Sequence, residues 1–245
     1  MPADPLSPLL ELPGVSDAVE SSREAVDGLL GNRVLRRRST DVSAESLLRG
    51  AWASAVLDGS TLTLAEFRES ADDPRAQGAL RVSAELAPLS ETWASAHRQV
   101  LARLHTLAAV GAVPEDQLGR PRPDREVAGR LDTLAEVLSL TSAPAVVVAA
   151  IVQAEILSLD AFTPVSGVVA RAAARLTLID RGLDPKSLVP FEVGHLELRT
   201  EYEAALALYR TGTPEAVVAW IQHCSAAIGL GVRESLAICE AIQRG

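Results

Sequence analysis

The chain has 245 residues, of which 48% are hydrophobic and 22% charged, and its formal net charge is −9. A chain this rich in apolar residues can bury a core, so its composition excludes general disorder, and its length fits one or two domains. The acidic balance argues against a dedicated nucleic-acid binder, which would present a basic face.

Cysteine usage and hydropathy point to the cytoplasm. Cys224 and Cys239 are too few for a disulfide framework and lack the spacing of a CxxC metal site. Residues 1–15 contain acidic side chains and prolines instead of a basic stretch followed by an apolar one, so no secretory signal is predicted. The most apolar run, 143–152, is about half the roughly 20 residues that a membrane helix needs. We therefore expect a cytoplasmic protein with no membrane partner.

The first part of the chain is predicted to form an N-terminal arm and three helices. Residues 1–13 are rich in proline and predict an extended arm, and 15–30 has apolar residues at helical spacing. The basic cluster at 32–38 fits either a phosphate or partner contact or a solvated linker, and the acidic chain around it favours the linker. Further helices are predicted at 43–57 and 64–69, with Ser43 and Thr63 as N-caps. We divide the chain into an arm and helix at 1–42 and a helical domain at 43–245.

Helical spacing also dominates the rest of the chain. The segment 79–110 predicts one long or kinked helix, and 111–124 is a loop rich in proline. Further helices are predicted at 126–140, 145–159, 167–181, 196–209, 214–228 and 232–242. Gly182 is predicted to end the 167–181 helix at the position after its last turn. No convincing pair of strands is present, so the predicted class is all-α.

One segment resembles a known motif. Residues 160–171 read Asp-Ala-Phe-Thr-Pro-Val-Ser-Gly-Val-Val-Ala-Arg. In register they resemble the Fic motif, His-Pro-Phe-x-(Asp/Glu)-Gly-Asn-Gly-Arg-x-x-Arg, and Phe162, Gly167 and Arg171 match it. The Gly-Leu-x-Pro turn at 182–185 is similar to the family as well. In the family's order, so are Leu104-His105 with Leu107, which resemble its Leu-His-x-x-Leu helix, Tyr-x-x-Ala-Leu at 202–206 and Trp-Ile at 220–221. The resemblance implies a Fic-like multi-helix bundle over roughly 43–245.

A second segment resembles the inhibitory signature of the same family, Ser/Thr-x-x-x-Glu-Gly-Asn. Ser54, Asp58, Gly59 and Ser60 stand at its named positions. In the family the inhibitory Glu reaches the second motif Arg and blocks the site of the γ-phosphate. The resemblance therefore implies that Asp58 and Arg171 meet, since a partly buried Arg needs an acceptor once phosphate is absent. The alternative is that Asp58 only caps its own turn with Gly59.

The resemblance also implies a chemistry, transfer of AMP from ATP to a target hydroxyl with the motif His as general base and the acidic residue as a Mg²⁺ ligand. Asp160 stands at the His position, and a carboxylate with a pKa near 4 is a weak base. Pro164 stands at the metal position and has no side-chain ligand, and Val168 replaces the first Arg. We expect no metal and no cofactor, and we assign no catalytic residue.

Three functions stay open for a domain with these replacements. The favoured one is a pseudoenzyme that binds a protein partner or a ligand. The second is an AMP transferase that uses Asp160 in a non-standard motif. The third is a nucleotide or anion sensor, in which Ser166, Gly167 and Arg171 would bind the anion, because a helix N-terminus attracts anions. A homo-oligomer is compatible with any of the three.

An N-cap, the flap and two histidines are also predicted from the sequence. Ser166 is a candidate N-cap for the helix that begins at Gly167. The family's flap, a β-hairpin that docks the target, is expected to be reduced or absent, because 123–144 has mostly helical spacing. His97 and His105 are eight residues apart, too far for an i, i+4 metal pair, and are expected at the surface or partly packed.

Overall fold

The computed structural model describes residues 4–69 and 72–244, and these form thirteen α-helices and no strand. The predicted all-α class is confirmed. The first seven helices are α1 (Ser7–Leu10), α2 (Val15–Leu30), α3 (Leu35–Leu57), α4 (Leu64–Glu69), α5 (Pro74–Ala84), α6 (Leu86–Trp93) and α7 (His97–Ala109). After a 3₁₀ turn at Glu115–Gln117 come α8 (Arg125–Leu140), α9 (Ala145–Leu159), α10 (Ser166–Asp180), α11 (Phe191–Glu197), α12 (Arg199–Tyr209) and α13 (Pro214–Arg244).

The N-terminal segment is folded onto the body of the protein. The first three residues of the predicted extended arm lie outside the described residues, and the remainder contains α1 and a buried Leu6. The Asp4 carboxylate accepts hydrogen bonds from the Thr141 hydroxyl (2.8 Å) and from the Ser142 backbone N–H (2.6 Å). The prediction of an extended arm is therefore wrong for these residues, because the apolar side chains among the prolines are packed against the core and the segment is tied to the turn before α9.

Helix α3 starts earlier than the sequence indicated. It begins at Leu35 and crosses the boundary that we placed between residues 42 and 43. Ser43 lies inside it and caps nothing, while the non-helical dihedral angles at Arg38 (φ −125°, ψ 21°) mark a kink one turn from its start. Thr63 does cap α4, since its hydroxyl accepts from the Glu66 backbone N–H (3.3 Å) and the Glu66 carboxylate accepts from the Thr63 N–H (2.8 Å).

The single helix predicted at 79–110 is three helices, α5, α6 and α7. Asp73 accepts from the Arg75 N–H (3.0 Å) and Pro74 occupies the first turn, so α5 starts five residues earlier than expected. Pro88 has no N–H to donate to the carbonyl four residues before it, and the chain breaks between α5 and α6 at Glu85. A second break at Ala96, with φ −144° and ψ 51°, separates α6 from α7.

The C-terminal helices divide differently from the prediction as well. The helix expected at 196–209 is broken at Leu198 into α11 and α12, and the two helices expected at 214–228 and 232–242 are one, α13. Gly231 lies inside this continuous helix, where a Cβ would lie 2.9 Å from the backbone nitrogen of Phe191. Helix α13 is long and apolar enough to cross a membrane, and 56% of its most apolar 18-residue window is buried in the fold, as in a core helix.

Helices α9 and α10 form a hairpin at the centre of the protein. Helix α9 is apolar around its whole circumference, and both helices contribute to the two apolar clusters of the core. One cluster joins them to α5, α6, α7 and α8, and the other joins them to α2, α11, α12 and α13. The loop between α9 and α10 contains the first half of the motif described above and α10 contains the second half, so both central helices position the candidate site.

Candidate functional site

The motif loop leaves α9 at Asp160, which has a left-handed conformation (φ 46°, ψ 48°). The Asp160 side chain is exposed, and its carboxylate accepts a hydrogen bond from the Thr163 hydroxyl (2.7 Å). Pro164 is exposed next to it. Phe162 points the other way, into the core, where its ring lies 5.4 Å from that of His105. The two positions at which the family would place a base and a metal ligand are thus on the surface of the loop.

Ser166 does not cap α10, contrary to the prediction. It is the first residue of the helix, and its hydroxyl accepts from the Phe162 N–H (2.9 Å). Val165 precedes the helix and makes no side-chain cap. The Ser166 hydroxyl therefore closes the motif loop on itself, and the free N–H groups of α10 are left for another acceptor.

That acceptor is Asp58, at the end of α3. One oxygen of its carboxylate accepts from the Val168 N–H (3.0 Å), in the first turn of α10, and the other accepts from Nη2 of Arg171 (2.6 Å). A Cβ on Gly167 would lie 2.7 Å from Oδ2 of Asp58 and closer still to Oδ1. The predicted contact between Asp58 and Arg171 is confirmed, and the absence of a side chain at Gly167 is what lets the carboxylate approach the helix.

A tight turn places Asp58 there. Ser60 donates its N–H to the Ala55 carbonyl (2.9 Å) and Gly59 donates to the Val56 carbonyl (3.0 Å), which is a Schellman turn. Gly59 has φ +95°, a conformation that glycine adopts without strain. Three of the four residues taken from the inhibitory signature thus end α3 and turn its last side chain toward α10, and the fourth, Ser54, acts from inside the helix.

Arg171 is the buried centre of this arrangement. Its Nε donates to the Ser54 hydroxyl (2.8 Å), and Nη2 donates to the Ser54 carbonyl (2.9 Å) as well as to Asp58. Nη1 donates to the Tyr202 hydroxyl (3.3 Å). Burial alone would lower the pKa of the guanidinium, but the charge and hydrogen bond of Asp58, with those of Tyr202, outweigh it and raise the pKa. Arg171 is therefore a cation at every pH at which the protein folds.

A buried polar chain continues beyond Tyr202, and no sequence pattern predicted it. The Gln153 amide bonds Nε2 of His195 (3.1 and 3.2 Å), and Nδ1 of His195 bonds Nε2 of His223 (2.9 Å). Burial lowers the pKa of His195 well below its ordinary value and lowers that of His223 to about 4. Both rings are therefore neutral near pH 7. His195 lies inside α11 and is fully buried.

The loop between α7 and α8 covers the motif loop. The Arg122 N–H donates to the Ala161 carbonyl (2.8 Å), and its guanidinium donates to the Leu159 carbonyl (3.0 Å). The segment 123–144, where the flap hairpin was expected to be reduced or absent, is mostly α8. The part of the chain that faces the motif is instead 111–123, which has one isolated bridge, Val110 to Val113, and no strand.

His105 and His97 are both buried, contrary to the expectation of surface or partly packed side chains. Burial lowers the pKa of each. His97 packs against the Trp93 ring, and both ring nitrogens of His105 lack a hydrogen-bond partner. Within residues 4–69 and 72–244, no three His, Cys, Asp or Glu side chains gather closely enough to hold a metal ion.

Comparison with solved structures identifies the fold. A Fic family protein from Desulfovibrio desulfuricans G20 is 19% identical, with a TM-score of 0.78 over 93% of this chain and 75% of that one. A fragment of Fic-1 from C. elegans is 17% identical, with a TM-score of 0.70 over 93% of this chain and 73% of that one. A second form of that fragment gives 19% identity and a TM-score of 0.68 over 91% and 72%. No family model matches the sequence, and no curated protein does. The chain therefore has the Fic fold, as the motif predicted.

Proposed function

We propose that this Fic-fold chain is a pseudoenzyme, which does not transfer AMP and which acts as a binding or regulatory module in the cytoplasm for a protein partner. The observation that carries the proposal is the position of the Asp58 carboxylate. It accepts from the first turn of α10 and from Arg171, the groups that the family uses for phosphates. An incoming phosphate would be repelled by the Asp58 carboxylate, which already occupies the donors that would otherwise bind the phosphate.

The residues around the motif support the same conclusion. A general base takes a proton best when its pKa lies near the working pH, and Asp160 is an exposed carboxylate that already accepts from Thr163. Pro164 supplies no oxygen to Mg²⁺ from its side chain. Loss of a general base alone removes about 10²–10⁴-fold in rate.

Incubation of the purified protein with ATP labelled at the α-phosphate, with and without Mg²⁺, tests the proposal. We expect no transfer to the protein itself or to a cell lysate. The decisive variant is Asp58→Ala, which frees α10 and Arg171. If the chain lacks the catalytic groups, Asp58→Ala is as inactive as the unaltered protein.

Two results would favour the other functions. Transfer that appears in Asp58→Ala and disappears in Asp58→Ala/Asp160→Ala would mean that the chain is an inhibited enzyme. Binding of ATP to Asp58→Ala by calorimetry, weakened by Arg171→Gln and without transfer, would favour the sensor. The sensor has one specific observation in its favour, since Asp58 is the one charged group that binds both Arg171 and the start of α10 among the described residues.

A further inference from the structure

A cavity of about 660 Å³ lies between the 111–123 loop and the motif loop. Its volume falls within the range of small-molecule sites, roughly 300–1,000 Å³. None of the residues that bind Asp58 or Arg171 lines it. The cavity is therefore a second feature of the protein, separate from the contact between α3 and α10.

The walls of the cavity combine apolar surface with positive charge. Val113, Pro114, Pro121 and Pro164 give it flat apolar sides. Two arginines, Arg120 and Arg122, line it together with one acidic residue, Asp116, and the Arg122 guanidinium also donates to the Leu159 carbonyl (3.0 Å). Among the described residues no carboxylate lies within ion-pair distance of either arginine. A chain with a net charge of −9 thus keeps an excess of positive charge at this cavity, where it can pair with an anion.

His105 forms part of the same wall. The residue is 2% exposed, and neither ring nitrogen has a hydrogen-bond partner. Because burial lowers its pKa, the ring is neutral near pH 7 and offers one donor and one acceptor. Buried polar groups without partners are rare in folded proteins, and each calls for an explanation such as a bound water, an ion or another ligand.

We propose that this cavity binds small organic anions with a flat apolar body. The anionic group would pair with Arg120 and Arg122, the body would lie between the proline walls, and a polar edge would reach His105 after a small adjustment of the ring. Such an occupant matches the volume, the charge and the apolar sides together, whereas inorganic phosphate would leave the proline walls uncovered. The proposal goes beyond the function given above and does not depend on whether the chain transfers AMP.

Fluorescence titration with anilinonaphthalene sulfonate, a flat aromatic anion, tests the proposal. The matched ligand is phenylnaphthylamine, which has the same body without the sulfonate. We expect the sulfonate to bind to one site, and the double variant Arg120→Gln/Arg122→Gln to weaken it by about tenfold or more, which corresponds to the loss of about 1.4 kcal/mol of binding free energy. The control Arg36→Gln, which removes an exposed arginine of α3, should leave the affinity unchanged.

Two further variants locate the bound probe. Val113→Asp adds a carboxylate to the wall and should abolish binding of the sulfonate. His105→Phe keeps a ring against Phe162 but removes both nitrogens, so it should weaken binding severalfold; His105→Gln serves if His105→Phe does not fold. The proposal is wrong if the sulfonate does not bind, if the arginine double variant or Val113→Asp leaves its affinity unchanged, or if the uncharged ligand binds equally well and responds equally to the arginine variants.

Discussion

At the scale of single residues, Arg171 is the buried centre of the candidate site. Its side chain is 2% exposed, and four of its hydrogen bonds end on Ser54, Asp58 and Tyr202. A buried cation is tolerated only when a counter-charge and acceptors compensate the loss of water. Asp58 provides the counter-charge from a position that is 19% exposed. The ion pair is therefore buried at Arg171 and partly exposed at Asp58. Removal of Asp58 would leave the buried guanidinium without a counter-charge.

We expect Asp58→Ala to lower the free energy of unfolding by about 3 kcal/mol, because Arg171 then keeps only neutral acceptors. Arg171→Ala should cost at least as much, since it also leaves a void. The double variant should cost less than the sum of the two by about 1 kcal/mol or more, because a lone partner no longer remains. Urea unfolding of the four proteins measures this coupling.

A matched control exists on α12. Arg199 and Glu203 form an i, i+4 pair whose side chains are 48% and 63% exposed. The coupling between Arg199→Ala and Glu203→Ala should stay below about 0.5 kcal/mol. Equal couplings for the two pairs would show that burial adds nothing to the contact between Asp58 and Arg171.

Sequence patterns predicted the contact between Asp58 and Arg171 but did not predict the buried polar residues beyond it. Asp58 and Arg171 each belong to a segment with a recognisable spacing, so their meeting followed from the resemblance. Gln153, His195 and His223 come from three different helices and are joined only by packing. No local pattern records that three helices bring one amide and two imidazoles together, and each of these residues taken alone is compatible with a surface position.

At the scale of elements, Asp58 joins the end of one helix to the start of another. A carboxylate at the C-terminus of α3 faces the negative end of that helix dipole, which disfavours it by roughly 0.3–1 kcal/mol. The same carboxylate faces the positive end of α10 and two of its donors. The same side chain therefore links the two helices through its two hydrogen bonds to α10.

The space for that contact depends on Gly167. We expect Gly167→Ala to lower the free energy of unfolding by about 1–3 kcal/mol, because its Cβ would displace the Asp58 carboxylate from α10. Chemical or thermal unfolding measures the change.

The control for this variant is Gly129→Ala in α8. A Cβ there meets nothing within 4 Å, and alanine favours a helix over glycine by about 1 kcal/mol, so Gly129→Ala should stabilise the protein. If Gly167→Ala were also stabilising, the tight approach of Asp58 would not constrain the fold.

Local signals explain which helices could be located from the sequence. Thr63 and Glu66 form a capping box, and α2, α4 and α9 have the bounds expected from their apolar spacing. The errors in the predicted helix bounds occur where tertiary contacts determine where a helix begins or ends. Nothing local shows that Gly231 packs against Phe191 inside one continuous helix, and helical spacing on both sides of Pro88 concealed the break between α5 and α6.

At the scale of the whole molecule, its four histidines share one property. His97, His105, His195 and His223 are all buried, and burial lowers the pKa of each. In the unfolded chain a histidine takes up its proton near pH 6.5, but folded His223 does so only near 4. Between these values the unfolded state binds more protons, so the free energy of unfolding falls as the pH falls.

We expect the protein to be most stable above pH 6.5 and to lose stability on acidification toward pH 4. His223 alone would account for up to about 3 kcal/mol over that interval, at about 1.4 kcal/mol per pH unit. Urea unfolding at several pH values between 7.5 and 4.5 measures the slope. His223→Gln, which keeps a hydrogen-bonding side chain that does not titrate in this range, should show a shallower slope. Parallel curves for the two proteins would contradict the assignment to His223.

The burial of α9 has a consequence for how the protein opens to solvent. Val147, Val152 and Ile156 are completely inaccessible, and α9 is covered by helices from both apolar clusters. Partial openings of the loops or of the peripheral helices leave such a helix protected, so its backbone amides exchange with deuterium only when the whole molecule unfolds. The exchange rate of α9 is therefore a measure of global stability, whereas the 111–123 loop, where most side chains are exposed, exchanges through local fluctuations.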